Sequence, residues 1–507
     1  MTDEATAMLG AVFARQLRDA AGPAMASHDA QRVADAGATL MQQMLDGHSA
    51  MPVDETLAAV LRAHPWVGNG DGHTPMVLEH GLLYLRRHRE AERRLADAIR
   101  ARVARGGDSF RIITGGPGTG KTTKVAELVA GYVDANPDVR IALAAPTGKA
   151  AARMGEAIET AWRRSGRDDL LARGQASGVT VHRLLRYLPT ADSFRRTADD
   201  PLEHDVVIVD EASMVPLLLM DALVQAVRPD AKLFLLGDHD QLASVEAGSV
   251  LADLVRAQDA LVGAVERLTH SWRFREDRGI GALAEAIRSG DADAAVRALD
   301  DPSGEVQWVA KSVDDGDWLA AALGEHVDAA FAAEDAAAAL QVLERQRILC
   351  ATNVGPAGSV ALTRRVEEEL RRRGHRAHGT HYHGRPLLIA RNDYALDLYN
   401  GDVGIVWGEE AVIATPGREQ AQRSVPLPQL PDARTAWAMS VHKSQGSEFD
   451  TAIVVLPDRA MEILARELLY TAVTRARRRV LVVGSEEVLR AAVGRSARRG
   501  SGLSLRL

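Results

Sequence analysis

The sequence predicts an α/β protein built on two parallel sheets, preceded by a mainly helical region and interrupted late by a small β module. Three observations carry that prediction. Short apolar runs alternate with helix-length segments twice along the chain, first from Phe110 and again from Arg347. Residues 1–107 instead repeat apolar positions at spacings of three and four. A proline- and turn-rich stretch at about 384–435 breaks the second set.

In the first region Met8, Val12, Phe13 and Leu17, and later Leu95, Ile99 and Val103, share one face at the helical period. Between them Gly68-Asn-Gly-Asp-Gly-His-Thr-Pro75 reads as turns, and Pro75 to Tyr84 as a small hairpin. No chemical motif occurs there, so 1–107 is expected to be a helical docking domain. The runs Phe110–Thr114, Ile141–Ala145, Asp205–Val209 and Lys232–Leu236 are bounded by turn residues and lack polar alternation. That is the pattern of strands buried on both faces of a parallel sheet. They define a first unit over 108–340. Arg347–Ala351, Ala452–Leu456 and Arg479–Gly484 define a second over 341–507. Inside it Arg385–Ala390, Val403–Trp407 and Ala411–Thr415 are shorter strand-like pieces, followed by Pro426, Pro428 and Pro431. These form the expected β insertion. The Ala-rich tract Ala329–Leu340 is predicted to be a helix near the junction of the two units.

Composition narrows the function classes. The chain has 507 residues, 46% hydrophobic and 26% charged, which excludes wholesale disorder. No stretch approaches the roughly 18 apolar residues of a membrane span. The first residues carry Asp3 and Glu4 and no cleavage site after a long apolar core, so no secretory signal is read and a cytoplasmic location is expected. One cysteine, Cys350, excludes an internal disulfide, a four-Cys iron–sulfur site and a cysteine-built zinc site. It is expected to be a strand residue. A net charge of −8 argues against a wrapper of duplex DNA, and 4% aromatics against many base-stacking platforms. Any nucleic-acid groove must be local and grip phosphates. The tail Arg459–Leu507 is locally basic, which fits either DNA attraction or a solvated face.

Four constellations carry chemistry. Gly115, Gly116, Pro117, Gly118, Thr119, Gly120, Lys121 and Thr122 spell G-x-x-x-x-G-K-[ST] directly after a predicted strand, and Thr123 continues them into a helix expected over Val125–Tyr132. Glycines let backbone N–H groups curl around phosphates, Lys121 reaches the β- and γ-phosphates, and Thr122 holds Mg²⁺. The run Val206–Val209 ends in Asp210 and Glu211. Asp210 is a candidate Mg²⁺ ligand and Glu211 a candidate base for an attacking water. Gln241 follows the strand run Lys232–Leu236, where a glutamine can touch both γ-phosphate and water. Arg273 and Arg475 are candidates for neutralising charge in phosphoryl transfer.

Read in order, these segments form a series. After the glycine-rich loop come Ala145-Pro-Thr-Gly-Lys-Ala-Ala-Ala-Arg-Met154, Asp210-Glu-Ala-Ser-Met214, Gly237-Asp-His-Asp-Gln-Leu-Ala-Ser-Val245 and Ser271-Trp-Arg-Phe274. Val441-His-Lys-Ser-Gln-Gly-Ser-Glu-Phe449 and Tyr470-Thr-Ala-Val-Thr-Arg475 close it. The series resembles that of superfamily 1 helicases, and its wording resembles the RecD-type subunits of RecBCD (exonuclease V) complexes. Gly384-Arg-Pro-Leu-Leu-Ile-Ala-Arg-Asn392 and Tyr399-Asn-Gly-Asp-Val-Gly404, in the insertion, add to it. The resemblance covers about Phe110 to Gly484.

The resemblance implies a 5′→3′ single-stranded DNA motor of two RecA-like domains with ATP and Mg²⁺ between them, assembled with RecB-like and RecC-like subunits. Nuclease activity would reside in a partner. It implies that Arg475 completes the site from the second domain, that Arg273 senses the γ-phosphate and that Glu448 contacts the nucleotide, at the ribose. It places Thr147, His182, His442, Lys443 and Ser444 on the DNA strand, and likens the insertion to a small SH3-like module. Trp272, Trp437 and Tyr470 are candidates for stacking or for packing. The family's adenine-reading glutamine has no counterpart in Arg87–Arg105. The alternative is a regulatory ATP-binding subunit that does not unwind DNA itself.

Overall fold

The structure is a computed structural model that describes residues 3–507 except 24, 173–175, 275–276, 311, 314, 316, 392, 394, 416–421 and 431. Asn392 and Pro431 therefore lie outside the described residues. The first sheet has six strands, all parallel, in the spatial order Val265–Leu268, Phe110–Gly115, Lys232–Gly237, Val206–Val209, Ile141–Ala145 and Gly178–Thr180. Its central strand, Val206–Val209, is buried at every position, and Ile208 registers with Leu143 on one side and Phe234 on the other. Apolar residues on both faces require cover on both faces. The cover is two separate cores, one holding Val125, Val129, Ile158 and Trp162, the other Leu95, Ile99, Leu223 and Leu254.

The helix Arg86–Arg105 supplies Leu95 and Ile99 to that second core. It thus ties the N-terminal region to the first sheet. Buried Arg102 donates from the same helix to the carbonyls of Ala231 and Val227. Ahead of it, helices Asp3–Ala21, Ser27–Leu45 and Glu55–Arg62 pack on a small sheet whose hairpin pairs Met76–Glu79 with Leu82–Leu85.

The second sheet has five parallel strands in the order Val306–Val309, Ala476–Val483, Phe449–Val455, Gln346–Cys350 and Ala438–Ser440. Two expectations change here. Val306–Val309 pairs with Ala476–Val483, and helix Gly279–Ser289 shares the core of the second sheet. The division at 340/341 therefore falls inside the second unit: the alternation Val-Gln-Trp-Val was too short and too polar to be read as a strand. The tract Ala329–Leu340 is not one helix. Helix Asp317–Phe331 ends, and Asp335 caps a new helix, Ala336–Glu344, by accepting from the Ala338 N–H. A free side-chain oxygen at that spot starts a helix better than it continues one.

The insertion is a five-stranded antiparallel sheet, Gln422–Pro426, Glu410–Ala414, Val403–Trp407, Pro386–Ile389 and Ala433–Thr435. It carries its own core, including Leu387, Ile389, Val406 and Ile413. Cys350 ends a central strand and is fully buried, and burial pushes its thiol up. Among the described residues no helix is long and apolar enough to cross a membrane.

Candidate functional site

The strand Phe110–Gly115 runs straight into the glycine-rich loop, and helix Lys121–Ala135 leaves it. The loop closes because Gly118 and Gly120 adopt φ of +77° and +89°, where other residues are strained. A Cβ on Gly118 would also lie 2.3 Å from the Cβ of Arg273. Lys121 Nζ donates to the carbonyls of Gly115 and Gly116, the latter at 3.0 Å, so the ammonium is held over the loop mouth. Thr119 Oγ1 donates to the Gly116 carbonyl at 2.8 Å. The segment Ser271–Phe274 lies across the loop: Ser271 Oγ donates to the Pro117 carbonyl and the Trp272 N–H to the Gly118 carbonyl, at 3.3 and 2.9 Å.

Asp210 and Glu211 sit at the end of the fully buried strand Val206–Val209. Glu211 has φ of +51°, a left-handed backbone at a non-glycine residue, and its N–H donates to Asp210 Oδ1 at 2.8 Å. Burial, then the neighbouring Glu211 carboxylate, raise the Asp210 carboxyl above the usual carboxylate range, with Lys121 opposing. Two neighbouring carboxylates sharing a cavity with Thr122 offer an oxygen-rich set suited to a hard divalent cation. Thr122, Asp210 and Glu211 line one cavity of about 880 Å³, together with Arg273, Glu448 and Arg475. Thr123 lines it as well.

That cavity is closed by both sheets. Arg475, at the start of strand Ala476–Val483, donates from Nη2 to Gln241 Oε1 of the first unit at 2.5 Å. Its Nε and Nη1 donate to the carbonyls of Thr471 and Ser447. Gln241 Nε2 donates to Asp238 Oδ2 at 3.2 Å, and Tyr470 Oη, from the second unit, donates to the same oxygen at 3.0 Å. The Leu242 N–H donates to Thr471 Oγ1 at 2.8 Å, and Gln445 Nε2 to the Leu242 carbonyl at 2.7 Å. On the other side of the cavity Glu448 pairs with Arg273 at 2.6 Å and with Arg477 at 3.2 Å. Burial alone would raise the Glu448 carboxyl, but Arg273, with Arg153 and Arg477, outweighs it and holds it at about 2.

Such a cleft is what a P-loop ATPase of two units requires, and relatives place it in a family. The profile of an AAA domain matches residues 95–311, and that of a UvrD-like helicase C-terminal domain matches residues 435–483. The RecBCD enzyme subunit RecD of Mycobacterium tuberculosis (strain CDC 1551 / Oshkosh) is 46% identical over 412 residues, 78% of this chain and 70% of that one. The chain belongs to the RecD family. The RecBCD enzyme subunit RecD of Haemophilus influenzae is 32% identical over 450 residues, 78% of this chain and 69% of that one. The ATP-dependent RecD2 DNA helicase of Deinococcus radiodurans is 32% identical over 397 residues, 77% of this chain and 49% of that one. A RecD-family chain is an ATP-dependent helicase, as the motif series implied.

The strand-gripping candidates of this RecD-family chain are partly assembled. Thr147 caps helix Gly148–Arg164 through the Ala150 N–H and lies 3.6 Å from where a Cβ on Gly446 would stand, so it faces the 441–446 segment across the cleft. Lys443 is exposed, and its Nζ donates to Asn400 Oδ1 of the insertion at 3.2 Å. His442 is half-buried; burial, then Arg499, lower its imidazole to about 4. His182 packs edge-on against Tyr187 and beside Phe194 of the hairpin Tyr187–Leu188 and Ser193–Phe194. Ser444 differs from the expectation. It is fully buried with Oγ donating to the Val441 carbonyl, because the short helix 441–444 turns it inward, and its side chain does not reach a groove.

The aromatics divide cleanly. Trp437 and Tyr470 are 5% exposed and packed, whereas Trp272 is 80% exposed at the edge of the glycine-rich loop. Several site residues escaped sequence reading. Asp238 lies inside a motif segment, three positions from Gln241, and Tyr470, expected only to stack or pack, also donates a hydrogen bond to it. Arg477 sits on strand Ala476–Val483 and pairs with Glu448. Arg153 donates across the cleft to the Gly446 carbonyl at 2.9 Å. None of these has a local sequence signal, since each is defined by a partner distant in sequence: Tyr470 for Asp238, Gly446 for Arg153 and, within the second unit, Glu448 for Arg477.

Proposed function

We propose that this chain is the 5′→3′ single-stranded DNA motor of a RecBCD-like helicase–nuclease complex, working with RecB-like and RecC-like subunits in double-strand-break repair and recombination in the cytoplasm. The observation that carries the reading is the buried hydrogen bond from Arg475 to Gln241, which joins the two units beside the cavity that Thr122, Asp210 and Arg475 line. In this reading Lys121 and the loop 115–120 bind the ATP phosphates. Thr122 and Asp210 would hold Mg²⁺, which would supply charge neutralisation to the bound phosphates. Glu211 takes the proton of the attacking water. Gln241, Arg273 and Arg475 meet the γ-phosphate and stabilise the charge of the transferring group. Glu448 contacts the ribose side of the nucleotide.

The mechanical step follows from where these groups are anchored. Lys121, Asp210, Glu211 and Gln241 belong to the first sheet, and Glu448 and Arg475 to the second. Phosphate contacts that need both sides favour the closed cleft, and their loss after hydrolysis favours opening. Thr147 and Lys443 ride on opposite units, so closure changes their separation along a bound strand. Contacts of this type grip phosphates and not bases, which suits a motor that must be sequence-blind. The five-stranded insertion, an SH3-like module in this reading, borders the strand path through Asn400 and Lys443. Residues 1–107 form the docking domain.

Unwinding of tailed duplexes tests the proposal. A 5′-tailed duplex is unwound with ATP and a 3′-tailed one is not, and Lys121→Gln abolishes the activity. The opposite tail preference defeats the polarity, and full activity in Lys121→Gln defeats the assignment of the site.

A further inference from the structure

Asp238 is fully enclosed in the cleft and accepts three hydrogen bonds. Its Oδ1 takes the Asp240 N–H at 3.1 Å, and its Oδ2 takes Gln241 Nε2 at 3.2 Å and Tyr470 Oη at 3.0 Å. A carboxylate only accepts and a guanidinium only donates. Gln241 stands between one of each, with its amide nitrogen toward Asp238 and its oxygen toward Arg475. Rotating the amide by half a turn would set donor against donor at Arg475 and acceptor against acceptor at Asp238. The orientation of Gln241 is therefore fixed from both sides, and one side is Asp238.

Tyr470 holds Asp238 in turn. It comes from helix Arg466–Val473 of the second unit, is 5% exposed, and reaches Asp238 over the glycine-rich loop. A Cβ on Gly116 would lie 2.8 Å from its hydroxyl oxygen, so the approach depends on glycine at 116. Tyr470 and Arg475 thus enter from the same unit and end on the two sides of one glutamine.

We propose that Tyr470 and Asp238 are positioning residues for hydrolysis: when the cleft closes, the Tyr470 hydroxyl sets the Asp238 carboxylate, which orients the Gln241 amide so that its oxygen meets Arg475. This rests on the ATPase reading of Gln241 and Arg475 given above. Neither residue touches the reacting atoms. The arrangement makes closure itself the signal, because opening breaks Tyr470–Asp238 and Arg475–Gln241 together and releases Gln241 to turn.

The test is steady-state ATP hydrolysis by the full chain with single-stranded DNA, in wild type, Tyr470→Phe, Gln241→Ala and the double variant. Tyr470→Phe lowers kcat roughly tenfold and leaves KM for ATP within about twofold, the signature of an interaction made in the transition state. In the Gln241→Ala background the same change costs less than about twofold, because its target is gone. Equal losses in both backgrounds, or full activity in Tyr470→Phe, overturn the proposal. Wild-type activity in Gln241→Ala overturns the role of Gln241 itself, which separates failure of the underlying reading from failure of this one. Asp238→Asn keeps the volume but offers a donor to Tyr470 and Gln241 or to the Asp240 N–H in either rotamer. It loses at least as much kcat as Tyr470→Phe, and an Asp238→Asn chain with wild-type kcat also overturns the proposal.

Discussion

Arg273 and Glu448 form an ion pair across the cleft, with Arg273 Nη1 2.6 Å from Glu448 Oε1. Arg273 is fixed against the glycine-rich loop by its neighbours Ser271 and Trp272, and Glu448 precedes the strand Phe449–Val455 of the second sheet. The pair is therefore a latch between the units as well as a pair of candidate nucleotide contacts. Removing one partner of a part-buried charged hydrogen bond costs about 1–3 kcal/mol. Glu448→Gln should lower stability to chemical denaturation by that amount and raise KM for ATP. Unchanged stability would show that the pair does not hold the units together.

The imidazoles of His88, His326 and His442 are each lowered to about 4, first by burial, then by Arg87 for His88, by Arg347 and Arg345 for His326, and by Arg499 for His442. A histidine with a depressed folded value binds fewer protons folded than unfolded between about 4 and the ordinary value near 6.5. Their contribution to stability is thus present above about pH 6.5 and is lost as pH falls toward 4. Melting temperature should drop steadily across that window, and His88→Gln should remove part of the slope. A flat profile from pH 7 to 5 contradicts the burial of these rings. His442, neutral at neutral pH, should contribute to DNA binding without adding to its salt dependence.

The last residues return from the second sheet to the other two regions. Arg499 Nη1 donates to the carbonyls of Glu246 and Gly248, and the Gly500 carbonyl accepts from the N–H groups of Ser49 and Ala50. Ser501 Oγ and the Gly502 N–H donate to Glu92 Oε1, and Leu503 enters the core beside Leu95 and Leu254. Burial raises the Glu92 carboxyl against the effect of these donors. Deleting residues 499–507 leaves the buried Glu92 carboxyl with the Ser49 hydroxyl as its remaining donor and opens that core. A loss of ~3–5 kcal/mol in unfolding free energy is expected, read by denaturant titration. A loss below 1 kcal/mol would mean that the segment rests on the surface without holding it.

What was legible in the sequence follows from burial. Strands covered on both faces, such as Ile141–Ala145 and Val206–Val209, are continuous apolar runs and stood out. Val265–Leu268, at the edge of the first sheet, carries Glu266 and Arg267 and did not. Ala438–Ser440 is too short and small-sided to register. In the insertion Gln422–Pro426 was hidden by its polar residues and proline. The P-loop and Asp210–Glu211 were readable because strand, loop and helix are consecutive. The Tyr470–Asp238 contact joins residues 232 positions apart, and no local pattern encodes such a partner.

In the proposed mechanism Arg475 completes the ATP site across the cleft. The most direct measurement is steady-state ATP hydrolysis, with and without single-stranded DNA, by the wild-type chain and by Arg475→Ala. DNA-stimulated turnover is expected in the wild type, with a loss of roughly 10³-fold in kcat in the variant, the scale of an arginine finger. Turnover in Arg475→Ala within a few-fold of wild type, stimulated equally by DNA, would contradict it.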